Sequence, residues 1–216
     1  MEFFDNEDKT RGMLEKVLVR LVTQVSNSTM RESQMSEFIG AKAPQIPIED
    51  YMHRLFKYTY CSNSAIIHLI ILLNRLLEKY HFVLNCATVH RTIFILLVTS
   101  IKMTDDDELT TINGEIFTVN KCSFAQCGGV TIDEFKLLER TLCKIMDFDF
   151  MVTSQEYETF NMLIFDFYLG MIAKRVTSEA EKEEEERAII DSIHIEENAT
   201  HEEIDLFCSE SIPGLC

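Results

Sequence analysis

Only seven glycines and three prolines punctuate 216 residues, and a chain so poor in turn-forming residues excludes a turn-dense β-sandwich. Long apolar runs are missing too. The longest, Ile93 to Ile101 and Ile66 to Leu73 broken by His68, fall well short of the roughly 20 residues a bilayer-spanning helix needs. Both fit buried core helices, and no membrane partner is expected. Basic residues are scarce, with 20 Lys and Arg against 36 Asp and Glu for a net charge of −16. Without a basic stripe to neutralise phosphates, nucleic-acid binding is not expected.

The seven cysteines are odd in number and irregularly spaced, and the start has no signal-like pattern, so reduced thiols in an intracellular protein of the nucleus and/or cytoplasm are expected. No C-x-x-C or H-x-x-x-H pair completes a zinc set. Cys86 and His90 stand four apart on one helix, and Cys122 with Cys127 is a loose pair nearby; both read as packing or helix-start residues. Gly128-Gly129 has neither the spacing nor the following Lys-Ser or Lys-Thr of a phosphate loop. Pro213 stands where a prenylation box needs its cysteine. No Cys–His nucleophile is supported, and neither a metal nor a cofactor is implied.

What is plentiful is Leu, Ile, Glu, Lys and Met, with 46% hydrophobic residues, which favours an all-α domain with one core and a flexible end. Leu14, Val17, Leu18, Leu21, Val22 and Val25 recur at helical spacing and predict an N-terminal amphipathic helix over 11–26. Residues 27–43 read as a connector. Pro47 suits the first turn of a helix over 48–60. A second helix over 65–80, capped by Asn63 or Ser64, is apolar on nearly every side and is therefore central. A third runs from about Ala87 to Ile101 with Asn85 as its cap. A fourth is expected over 114–125, stopped by Gly128-Gly129. Thr131-x-x-Glu134 has the form of a capping box opening a fifth helix with a Phe135, Leu138, Leu142, Ile145 stripe, and Thr153-x-x-Glu156 opens a sixth reaching Ala173.

Charge is unevenly spread. From Ser178 onward 13 acidic and two basic residues carry −11 of the total. That tail is expected to hold a short exposed helix, with Ile189, Ile190 and Ile193 along one edge, followed by disorder. It solubilises the chain or attracts a basic protein. The acidic residues after Lys102 sit badly at a helix C-terminus, so they lie beyond the helix and cap the next segment, or they contact a partner.

Between Asn85 and Phe150 the sequence reads N-x-x-T-V-H-R, I-K-M-x-D-D, F-A-x-C-G-G-V, L-E-R and D-F-D-F. These motifs resemble the cyclin box, and within it the P/U-type, phosphate-pathway-like branch. The resemblance covers about half the chain and implies a single five-helix box over 44–150, after an N-terminal helix and connector (1–43) and before a C-terminal helix (151–175) and a partly disordered acidic tail (176–216). It implies no catalysis by the chain itself. A regulatory subunit is expected, activating a cyclin-dependent protein kinase by packing its third and fifth helices against the kinase's mobile helix. By resemblance, Lys102 and Glu139 are the paired anchors, with Met103, Asp105, Cys143, Phe148 and Phe150 around them. Taken singly, Lys102 also fits a solvated helix-end cation, Glu139 a partner of Lys136, and the two phenylalanines core. Pro44 to Ile48 stands where A- and B-type cyclins carry M-R-A-I-L, and Asn74 replaces the accompanying Asp, so substrate docking through that patch is not expected. Two other readings remain. A cyclin-fold adaptor or scaffold in transcription or signalling calls for a basic face, and a helical enzyme calls for a convergent polar pocket.

Overall fold

The computed structural model describes residues 7–28, 36–40, 45–105, 109–112, 115–118 and 121–175. The acidic tail, Asp106 to Glu108, and most of the 27–43 connector lie outside the described residues. Two compact units divide the chain, Met1–Phe167 and Tyr168–Cys216. In the second, residues 168–175 are helical.

The first unit is an all-α bundle. Its helices are α1 (Glu7–Ser28), α2 (Ile48–Thr59), α3 (Asn63–Glu78), α4 (Val89–Thr104), α5 (Lys121–Gly128), α6 (Ile132–Ile145) and α7 (154–167). The central pair is α3 with α4; α1 packs on α2 and α3, and α6 on α4 and α5. Six successive residues of α4, Ile93 to Val98, are buried. As in α3, apolar side chains on every face demand surroundings on every face. Each such Leu or Ile contributes about 1.5–3 kcal/mol on full burial.

Helix starts follow side-chain chemistry. Asn85 Oδ1 accepts from the amides of Ala87 and Thr88 at 3.0 and 3.1 Å and so caps the turn leading into α4, whereas the N-cap of the regular helix, which begins at Val89, is Thr88 and not the expected Asn85. The cap of α3 is Ser62, one residue before Asn63 and two before Ser64, the expected candidates, its Oγ accepting from Ala65 N at 3.0 Å. At α6 the capping box is complete: Thr131 Oγ1 accepts from Glu134 N at 3.2 Å, and Glu134 Oε2 accepts from Thr131 N at 2.9 Å.

Two segments differ from the reading of the sequence. The fourth helix does not start at Gly114. It starts at Lys121, and the preceding residues form an antiparallel pair, β1 (Leu109–Ile112) with β2 (Glu115–Thr118). Asn113-Gly114 between two short β-prone runs is the strongest short-range hairpin signal and overrides the weak helical period there. Within the connector, Ser36–Phe38 forms a turn of 3₁₀ helix on α4 and α6. Phe38 is fully buried and meets Phe82 edge-on at 5.1 Å.

The two adjacent glycines serve different ends. Gly129 has φ +68°, the left-handed backbone that ends α5. Gly128 is needed for space, because an added Cβ would stand 2.5 Å from the Phe94 ring. Tyr51 on α2 donates its hydroxyl to the Gly128 carbonyl at 3.0 Å and fastens this corner to the bundle.

Candidate functional site

The end of α4 meets the middle of α6. Lys102 Nζ and Glu139 Oε1 form an ion pair, with side-chain exposures of 32% and 28%. The ammonium also lies 5.4 Å from the centre of the buried Phe135 ring, a cation–π contact that orients it. Lys136, a candidate partner of Glu139, instead faces Asp133 at 3.8 Å.

Around this pair the surface is apolar. Met103 follows Lys102 and is 41% exposed. Cys143 stands one turn after Glu139, half-buried, and burial pushes its thiol pKa up, so it remains a neutral small hydrophobe. Phe148 is 70% exposed, whereas Phe150 is 8% exposed and faces inward. Asp105 turns toward α3. Its carboxylate accepts from Ser62 N at 3.1 Å and from the Ser62 hydroxyl, which puts negative charge at the positive end of that helix. Asp105 thus caps the chain's own α3.

Beneath the surface, a polar group braces α3, α4 and the segment after α6. His68, 4% exposed, contacts Ser100 Oγ through Nδ1 and the Phe150 carbonyl through Nε2, each at 3.0 Å. A carbonyl only accepts, so Nε2 carries the proton and Nδ1 accepts from Ser100. Burial lowers the His68 pKa and keeps the ring neutral. A groove over this brace is lined by Met103, Thr104, Phe150, Met151 and Tyr157, with His68 below.

Arg75 is the element that reading for motifs missed. It is the only Arg or Lys in α3, 14% exposed, and all its donors are used. It contacts the Asp149 carbonyl and Oδ1, the Met151 carbonyl, and both Glu156 oxygens, at 2.6–3.2 Å. Lys79 adds a bond to Asp149 at 2.7 Å, the main cause of that carboxyl's lowered pKa. An arginine on an otherwise apolar helix was the available signal. Met151, 72% exposed at the rim, had none.

Elsewhere, the His90 ring donates from Nε2 to the Ile46 carbonyl at 2.9 Å, so that nitrogen serves packing. Among the described residues, no group of three or more His, Cys, Asp or Glu is placed to hold a metal. No described helix is long and apolar enough to cross a membrane.

The sequence profile of the cyclin family matches residues 8–150, a span that takes in all of α1 but Glu7 and every residue of the rim up to Phe150. Cyclin-U4-3 of Arabidopsis thaliana is 28% identical over 144 residues, 66% of this chain and 61% of that protein. Cyclin-P3-1 of Oryza sativa subsp. japonica is 28% identical over 155 residues, covering 67% and 60%. PHO85 cyclin-7 of Saccharomyces cerevisiae is 23% identical over 180 residues, covering 72% and 60%. The chain thus spans about three fifths of the length of these relatives. With a helical box around α3 and α4 and a profile match over two thirds of its residues, the chain belongs to the cyclin family, and its relatives are of the U, P and PHO85 types.

Proposed function

We propose that the chain is a non-catalytic regulatory subunit that binds and activates a cyclin-dependent protein kinase of the kind PHO85 cyclins are named for. The observation that carries this reading is the Lys102–Glu139 pair at the centre of an exposed apolar rim. Strong protein interfaces combine apolar contact with a few central polar anchors. A kinase is off while the helix bearing its Glu is rotated away from the strand Lys that holds ATP phosphates. A rigid surface that favours the inward position of that helix shifts the equilibrium toward the active state. Lys102 supplies donors and Glu139 acceptors, so together they fix both ends of one backbone segment beside that helix. Met103, Cys143 and Phe148 supply the apolar contact, while Phe150 and Asp105 hold the surface from below. The acidic tail offers a basic substrate or inhibitor protein its complement, and the site of action is the nucleus or cytoplasm.

The test is a pull-down of tagged chain with PHO85, comparing wild type with the Lys102→Glu, Glu139→Lys exchange. That exchange keeps an ion pair inside the chain, and part-exposed pairs contribute only about 0–1 kcal/mol, so the variant folds. It reverses the donors and acceptors offered to the partner. Loss of the kinase with unchanged helix content is expected; equal recovery by both chains overturns the reading.

A further inference from the structure

Asp147 and Phe148, directly after α6, hold left-handed backbone with φ of 46° and 57°. Two successive residues other than glycine persist in that region only where their surroundings over-determine it. Here they do. Phe148 N donates to the Cys143 carbonyl at 3.0 Å and Asp149 N to the Met146 carbonyl at 2.8 Å. The next three carbonyls are all taken by side chains of α3: Asp149 and Met151 by Arg75, and Phe150 by His68. Glu156 at the start of α7 closes the clamp on Arg75.

This bracing presents two apolar side chains to solvent. Phe148 and Met151 are the most exposed large hydrophobic residues described, at 70% and 72%, and they flank the inward-facing Phe150. A loop ordered only on binding would lose conformational entropy at that moment, which lowers affinity. A loop fixed beforehand avoids that loss, and large apolar side chains held rigidly make effective anchors. Met103 and Met151 line one groove, so the anchor is continuous with the rim around Lys102.

We infer that residues 147–151 are a pre-organised anchor whose Phe148 and Met151 enter an apolar cleft of the kinase, with Arg75 as their positioning residue. This rests on the kinase-binding reading above. Arg75 touches no partner in this account; it acts through the backbone of Asp149 and Met151. A purely structural role would make its loss independent of the two side chains, whereas a positioning role makes the effects overlap.

The test measures PHO85 affinity by titration calorimetry for wild type, Arg75→Met, Phe148→Ala with Met151→Ala, and all three changes together, alongside amide exchange over 147–151. The alanine pair is expected to weaken binding about thirtyfold or more. Arg75→Met is expected to speed exchange over 147–151 about tenfold, weaken binding, and add nothing once both alanines are present. Additive losses, unchanged exchange, or faster exchange with unchanged affinity overturn the positioning role. The alanine pair changes only exposed side chains and so tests the anchor even if Arg75→Met unfolds; unchanged affinity there overturns the anchor. The Lys102→Glu, Glu139→Lys exchange in the same assay separates the two ideas. If it weakens binding and the alanine pair does not, only the anchor falls. If neither does, or wild type does not bind, the kinase-binding reading falls and takes the anchor with it.

Discussion

Replacing His68 with leucine, close in volume, removes the two bonds that tie α3 to Ser100 on α4 and to the Phe150 carbonyl. Ser100 is fully buried, and the carbonyl belongs to a residue only 8% exposed, so neither partner regains full hydration. Each orphaned group costs about 1–3 kcal/mol, giving a loss of about 2–6 kcal/mol. Against a typical domain stability of about 5–15 kcal/mol, that is a large fraction. The loss also depends on pH. Burial holds the folded imidazole below its ordinary pKa of 6.5, so as pH falls through that value the unfolded chain gains a proton that the folded chain resists. This contribution to stability is present above pH 6.5 and declines below it, by at most about 1.4 kcal/mol per pH unit. Leucine has no such dependence, so the penalty narrows from pH 7.5 to pH 5.5 by up to about 1.4 kcal/mol. Urea unfolding followed by circular dichroism at both pH values measures it. A penalty under about 1 kcal/mol, or one that is the same at both pH values, refutes the reasoning about this brace.

Gly128→Ala places a methyl 2.5 Å from the Phe94 ring and should lower stability by about 1–3 kcal/mol through overpacking, read as a lower denaturation midpoint. Thr131→Ala removes the hydroxyl half of the capping box and should cost about 1 kcal/mol without altering helix count. A loss under about 0.3 kcal/mol would show that the Glu134 side chain alone caps α6.

The central helices were legible because their side chains leave one arrangement: α3 and α4 are apolar around their whole circumference and must be surrounded. Asn85 as a capping side chain and the Thr131–Glu134 box were legible because a cap acts over three residues and needs no tertiary context. The pairing of β1 with β2 was missed when a helical period was read through the two-residue turn signal in the sequence between them. Ser62 was missed as a cap although its bond from Ala65 N is just as local, because Asn63 and Ser64, the next two residues, are equally suitable capping types. Asp105 shows a different limit: the sequence left capping and partner contact open for the acids after Lys102, and the folded chain spends this carboxylate on its own α3. The Lys102–Glu139 pair came from motif spacing. The clamp around Arg75 did not, since its partners at Asp149, Met151 and Glu156 are gathered only by the fold.

The most direct measurement of the central claim is phosphorylation of a Lys- and Arg-rich peptide by PHO85 alone, with the chain, and with the chain carrying the Lys102→Glu, Glu139→Lys exchange. Activation predicts turnover with the wild-type chain and only the level of PHO85 alone with the exchanged one. Binding of the wild-type chain with no rise in turnover would contradict activation and make the protein a cyclin-fold adaptor.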